Sequence, residues 1–301
     1  MEIKEPFVFQ ADAEIVKRAY NNCNNYIIEY DLSLPKEYCI IYCSSNDLYY
    51  PNDETSFNDS IVKKNRFEWY RSRIKYGYKH IFLRDIKKQW YINGVNNILN
   101  TPQKLIEFIK QECKGFKIIT VGSSAGGFIA VLIGQILDAE RIYTFNGQFE
   151  IISQLNKKQV RTKDPILYRN KLNNEVLPFY DTCNFIVKPE KIYYFYSNKS
   201  KWDIAQNNHI YNININRISF KTSNHGIPFL KSNLLPVLNL SLSELNKLSG
   251  KTIHPIAFSL KISGLRETIY GLKPVIIFIL KKIYIYILQI VKRLINNEHQ
   301  P

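Results

Sequence analysis

Between residues 38 and 221 the chain alternates short, continuous apolar runs with longer stretches of mixed polarity. The runs are Tyr38–Cys43, His80–Leu83, Lys117–Val121, Arg141–Phe145, Lys191–Tyr196 and Asn216–Lys221. Their continuous apolar character, without strict alternation, is the pattern of strands buried on both faces. A shorter strand is expected at Tyr26–Tyr30, after an irregular lead-in. Between the runs, Glu54–Tyr76, Val95–Cys113 and Phe128–Leu137 read as helical, with Pro102 suited to a first helical turn. A further helix carries Leu234, Leu235, Val237 and Leu238. This repeated βα rhythm predicts an α/β fold with a mostly parallel sheet covered on both faces. Residues 148–188 lose the rhythm and are rich in Lys, Asn and Pro, so they read as an insertion. Residues 1–250 are expected to form the main domain and residues 251–301 a basic amphipathic tail. No internal repeat is visible.

Composition changes this picture only at the edges. The 301 residues carry 41 Lys and Arg against 26 Asp and Glu, a formal charge of +15. The basic residues are scattered among Asn, Ile and Tyr and form no groove-like cluster, so the charge does not argue for nucleic acid. It is compatible with an anionic membrane surface or an acidic glycan. The five cysteines form no C-x-x-C pair and are odd in number, which points to a reducing compartment and no structural zinc. Met1–Pro6 has no apolar stretch of the secretory type, and the expectation is a cytoplasmic protein.

The chemistry concentrates at Lys117-Ile118-Ile119-Thr120-Val121-Gly122-Ser123-Ser124-Ala125-Gly126-Gly127-Phe128. A β-branched run enters Gly-Ser-Ser-Ala-Gly and leaves directly into an apolar helix. That is the strand, sharp turn and helix context of a G-x-S-x-G nucleophile elbow. Glycines at 122 and 126 allow a strained serine to stand between strand and helix. Ser124 is the candidate nucleophile. The N–H of Ala125, at the helix N-terminus, is a candidate oxyanion donor. Serine needs a base, itself oriented by a carboxylate. Among the five histidines, His225 follows the last predicted strand and precedes a glycine, at the carboxyl edge of the sheet. His209 is its rival. Asp203 follows the strand Lys191–Tyr196 and is the candidate acid, with Asp181 in the insertion as the alternative. Ser44 and Ser45, in the turn after the strand Tyr38–Cys43, are candidates for the second oxyanion donor. Arg84 and Asp85 read as a structural ion pair near the same edge.

Through Gly122-Ser123-Ser124-Ala125-Gly126, Asp203 and Asn224-His225-Gly226, residues 38 to about 240 resemble the α/β-hydrolase superfamily, with its chain order nucleophile, acid, base. The resemblance implies a serine esterase or acyltransferase with a Ser–His–Asp triad and no cofactor or metal for the hydrolytic step. Ser44-Ser45-Asn46 and the segment from Arg84-Asp85 to Trp90-Tyr91 also resemble bacterial hydrolase-fold proteins of surface-glycan modification or accessory secretion. The expected substrate is an ester on a small molecule, a glycan or a lipid-linked glycan precursor. A coenzyme A-dependent O-acyltransferase and an inert hydrolase-fold scaffold remain alternatives.

In the tail, Val275–Ile295 places Lys281, Lys282, Gln289, Lys292 and Arg293 within one helical sector of roughly 120°. A spanning helix would put two lysines near mid-bilayer at about 2.5–3.5 kcal/mol each. A helix lying on an anionic membrane surface avoids that cost.

Overall fold

The computed structural model describes residues 5–297. Eight strands form one sheet: β1 Tyr26–Tyr30, β2 Tyr38–Cys43, β3 Lys79–Leu83, β4 Lys117–Ser123, β5 Arg141–Phe145, β6 Ile192–Ser197, β7 Asn216–Phe220 and β8 Thr252–Ile253. They run side by side in the order β1-β3-β2-β4-β5-β6-β7-β8. Only the edge strand β1 is antiparallel to its neighbour; the other pairings are parallel. Four helices matter below: α1 Pro102–Glu112, α2 Ala125–Ile136, α3 Lys201–His209 and α4 Pro255–Asn297.

The continuous apolar runs are explained by two separate cores. Alternate residues of each strand point to opposite faces. Cys39, Ile41, Cys43, Ile118 and Ile142 pack with α1, α2 and the insertion, while Ile40, Tyr42, Ile119, Val121, Tyr143 and Phe145 pack with segments 67–74 and 227–258. Helix α2 is apolar nearly all round because it lies between the sheet and the insertion, and Ala125 to Gln135 are all buried.

Three elements differ from the sequence expectation. Residues 54–76 are helical only over Glu54–Lys63, the second half of that stretch as a π-turn; Phe67, Trp69 and Ile74 then serve as buried plugs under the sheet. Residues 95–101 are not helical, and α1 begins at Pro102, capped by Thr101, whose hydroxyl accepts from Lys104 N–H at 3.2 Å. The short strand β8 was not anticipated. It pairs with β7, and Phe258 behind it is buried, with Ser259 and Ser263 hydrogen-bonded to Asn233. Chain drawn as tail from residue 251 therefore starts inside the packed body, and contacts of α4 with it run to about Gly271.

Arg84 and Asp85 do not pair with one another. Arg84 Nε donates to Asn25 Oδ1 at 3.0 Å, while Asp85 accepts from the N–H groups of Lys87, Gln89 and Tyr91 at 3.0, 2.6 and 2.9 Å. Asp85 thus organises a tight loop in which Lys88, Trp90 and Tyr91 all have left-handed φ, 57°, 52° and 59°. That backbone costs roughly 1–2 kcal/mol per non-glycine residue, and the three carboxylate-held amides offset it. The loop carries Trp90, which is nearly buried.

Candidate active site

Ser124 sits between β4 and α2 with φ 51° and ψ −122°, outside the regions an L-residue normally occupies. The two flanking glycines make this turn possible by close approach. A Cβ on Gly122 would collide with Gly126 O, and one on Gly126 with Cys43 O of the adjoining strand. The strained serine, the parallel sheet order and the single antiparallel edge strand together define the architecture. The chain has an α/β-hydrolase fold.

The segments that follow β6 and β7 bring the remaining groups to Ser124. His225 Nε2 lies 2.8 Å from Ser124 Oγ, and His225 Nδ1 lies 2.8 Å from Asp203 Oδ1. With a carboxylate at Nδ1, the neutral ring carries its proton there, and Nε2 is left to accept the serine hydroxyl. Asp203 occupies the first turn of α3, capped by Ser200, and its carboxylate is fully buried. Its second oxygen has no hydrogen-bond partner among the described residues. The indole of Trp202 stacks parallel on the His225 ring, at 5.3 Å between centroids and 4° between planes. Lys157 Nζ covers Trp202 at 4.7 Å from that ring's centroid.

Asn146 lies in the turn after β5. Its side chain holds the histidine loop to the sheet: Nδ2 donates to Ser197 Oγ and Asn224 O at 3.0 Å each, and Oδ1 accepts from Ser197 N–H at 2.7 Å. Its φ of 44° is one asparagine tolerates better than most residues.

The rival residues lie elsewhere. His209, at the far end of α3, pairs with Asp181 at 2.9 Å. Cys183 lies beside them, so ligand atoms of Asp181, Cys183 and His209 fall within 4.8 Å of one another. Burial pushes the Cys183 thiol up to about 12, and the cluster joins the insertion to α3. His80 is buried against Tyr42, His254 accepts from Ile256 N–H, and His299 lies outside the described residues.

Ala125 N–H, the candidate oxyanion donor, is at the first position of α2, where a helix has no internal acceptor. The turn after β2 is arranged differently from the expectation. Ser44 N–H donates to Leu83 O at 3.0 Å and Ser45 N–H to Glu68 Oε2 at 2.5 Å, so both backbone donors are engaged. The next amide, Asn46 N–H, has no hydrogen-bond partner among the described residues, and Asn46 lines the cavity in front of Ser124. Nothing in the sequence pattern distinguishes Asn46 from the two serines before it, because the difference depends on Glu68 arriving from another segment.

Glu68 is desolvated beneath this turn, and burial raises its carboxyl above the ordinary range in spite of the Ser45 N–H bond. An acid whose folded pKa exceeds its unfolded one binds more protons when folded, so its ionisation destabilises the fold as pH rises through that interval. Glu68→Gln keeps an acceptor oxygen for Ser45 and removes the charge. The variant is expected to gain melting temperature relative to the wild type near pH 7, and the gain should vanish below about pH 4, where both chains are neutral at this position. Melting curves at several pH values measure the difference.

The cavity in front of Ser124 measures about 600 Å³ and is lined by Asn46, Asp47, Glu68, Trp90, Asp164 and Lys231 among others. Most of the residues that line it are polar or charged, while Trp90, Trp202 and Ile227 contribute apolar surface.

No protein-family model and no curated protein sequence matches the chain. Among solved structures it is similar to an S-formylglutathione hydrolase from Agrobacterium tumefaciens, 12% identical over 75% of this chain and 90% of that one, with a TM-score of 0.43. It is also similar to a capsule O-acetyltransferase of Neisseria meningitidis serogroup A, 16% identical over 65% and 82% of the two chains, TM-score 0.42. A protein of unknown function from Staphylococcus aureus gives 13% identity over 74% and 94%, TM-score 0.41. The fold assignment rests on the sheet order and the elbow themselves.

Proposed function

We propose that the protein is a serine esterase or acyltransferase that opens an acyl ester through a covalent acyl-enzyme. The observation that carries this reading is the pair of 2.8 Å hydrogen bonds linking Ser124, His225 and Asp203 at a strained elbow. Ser124 Oγ attacks the ester carbonyl as His225 Nε2 takes its proton. Asp203 keeps the imidazole in the required tautomer and stabilises the imidazolium that forms. The oxyanion is held by Ala125 N–H and, in place of Ser44 or Ser45, by Asn46 N–H. His225 then protonates the leaving alcohol, and water or a second hydroxyl group releases the acyl chain by the reverse steps.

The cavity favours a short acyl group on a polyhydroxylated alcohol, such as a sugar of a glycan or lipid-linked glycan. Carboxylates at Asp47, Glu68 and Asp164 suit sugar hydroxyls and disfavour the phosphates of coenzyme A, against a single lining lysine, Lys231. The deciding assay offers the purified protein acylated sugars, p-nitrophenyl acetate and acyl-coenzyme A, with and without free sugar acceptors. Release of carboxylate from acyl-sugars supports the esterase form. Acyl transfer from coenzyme A to sugar would replace it with the transferase form. Inertness on all of them would favour a scaffold.

The tail is proposed to rest on an anionic membrane surface. Beyond Gly271, α4 exposes Ile276, Ile277, Leu280, Ile283, Tyr284, Tyr286, Ile287 and Leu288, an apolar surface the hydrolase body does not cover. Among the described residues no helix is long and apolar enough to cross a membrane. Truncation after Gly271 is expected to abolish salt-sensitive sedimentation with anionic vesicles while leaving the melting temperature and activity on soluble esters unchanged. Lys→Gln changes at Lys281, Lys282 and Lys292 with Arg293→Gln should weaken binding to anionic but not neutral vesicles. Retention after alkaline carbonate washing would point to a true span, and unfolding on truncation to a packing role.

A further inference from the structure

A second polar side chain reaches Ser124 besides His225, and the triad reading does not use it. Gln148 is completely buried, two residues beyond Asn146 in the turn after β5. Its Nε2 lies 3.3 Å from Ser124 Oγ and 3.4 Å from Asn146 O, and its Oε1 accepts from Trp90 Nε1 at 3.0 Å. Gly147 lets this turn close on the first turn of α2, since a Cβ there would run into Thr144 Oγ1 and Gly127.

The orientation of the Gln148 amide follows from its partners. An indole N–H can only donate, so the amide oxygen must face Trp90 and the NH2 group must face Ser124. Trp90 in turn is fixed by the Asp85-organised loop and is itself nearly buried. An N–H pointed at Ser124 Oγ has two consequences. It occupies an acceptor position of the hydroxyl, which leaves the hydroxyl proton directed to His225 Nε2. It also gains strength as Oγ loses that proton and becomes negative during attack, and it weakens again once Oγ is an ester oxygen. An interaction that grows toward the transition state raises turnover and leaves substrate affinity nearly unchanged.

We propose that Gln148 is a further catalytic residue, whose amide N–H stabilises the developing charge on Ser124 Oγ, and that Trp90 is the positioning residue that sets the amide's orientation. This rests on Ser124 being the nucleophile. No extra reactant is involved: the Oγ–C bond forms, the proton passes to His225 Nε2, and the Gln148 proton stays on nitrogen throughout.

The test uses the full-length chain, with p-nitrophenyl acetate for steady-state kinetics and a fluorophosphonate for the rate of covalent capture. Gln148→Met preserves length and volume without the amide. It is expected to lower kcat and the capture rate by roughly ten- to a hundredfold, with KM changed less than about threefold. Trp90→Phe keeps most of the ring and removes the donor, so the amide is free to flip. A smaller loss of the same kind is expected, and Gln148→Met with Trp90→Phe should be no worse than Gln148→Met alone. Wild-type capture rates in a folded Gln148→Met variant would overturn the proposal while leaving the triad reading intact. Additive losses in the double variant would overturn the role given to Trp90. Should Gln148→Met fail to fold by melting analysis, Trp90→Phe decides, and an unchanged kcat in it would overturn the proposal. If the wild type is captured at a residue other than Ser124, both readings fall together.

Discussion

Ser124→Ala is expected to abolish covalent capture by a fluorophosphonate and to reduce ester turnover to the level of the oxyanion site and binding alone, a loss of about 10⁴-fold or more. The prediction is sharp because a second serine, Ser123, adjoins it in sequence. Ser123 is the last residue of β4 and pairs with Phe145 of the next strand, whereas Ser124 alone has the left-handed φ and the hydrogen bond to His225. Ser123→Ala should therefore retain capture. Mass spectrometry of the labelled peptide in the three proteins measures the outcome directly. Capture that persists in Ser124→Ala would remove the nucleophile assignment.

The second large effect is expected at Asp203, the proposed orienting carboxylate. Asp203→Asn replaces an acceptor by a group that can donate to His225 Nδ1, which favours the tautomer with the proton on Nε2, facing Ser124. A fall of kcat by roughly 10⁴-fold is expected, with the fold intact. His225→Ala should cost a comparable factor because the triad acts as a unit. It should also cost stability, about 1–3 kcal/mol, because Asp203 is fully buried and, among the described residues, its Oδ2 has no hydrogen-bond partner and its Oδ1 bonds only to the histidine. Asp203→Asn with wild-type kcat would strip the carboxylate of its role. His209→Ala, in contrast, is expected to leave kcat unchanged, since its partner is Asp181 at 2.9 Å. Steady-state kinetics with circular dichroism melts separates the catalytic from the structural loss.

Much of the candidate site was legible because its signals are local. The elbow needs glycines at fixed offsets from one serine, and a β-branched run followed by an apolar helix announces the turn that uses them. The positions of Asp203 and His225 after strands follow from the rule that loops at the carboxyl edge of a parallel sheet converge. The histidine loop's anchor, Asn146, was not legible. An asparagine before a glycine reads as a turn whether or not its side chain later clamps another loop. Gln148 and Trp202 were missed for the same reason: each gains its meaning from a partner more than 20 residues away, Ser124 for Gln148 and His225 for Trp202. The helical reading of residues 54–76 failed because Phe67, Trp69 and Ile74 satisfy a helical apolar count while acting as separate plugs in an irregular chain.

By itself the sequence determined every strand but β8, the elbow, and the placement of Ser124, Asp203 and His225 after successive strands, because burial on both sheet faces and the steric demands of a tight turn are written in residue type and short spacing. The tertiary structure alone decided which of several competing polar groups meet. Glu68 takes the Ser45 amide and leaves Asn46 N–H unpartnered, Asp181 draws off His209, and Asp85 turns away from Arg84 to hold the loop that presents Trp90. The physical reason is that hydrogen-bond donors and acceptors are few-valent. Which pairings are used depends on groups brought together from distant segments, and periodicity along the chain carries no record of that competition.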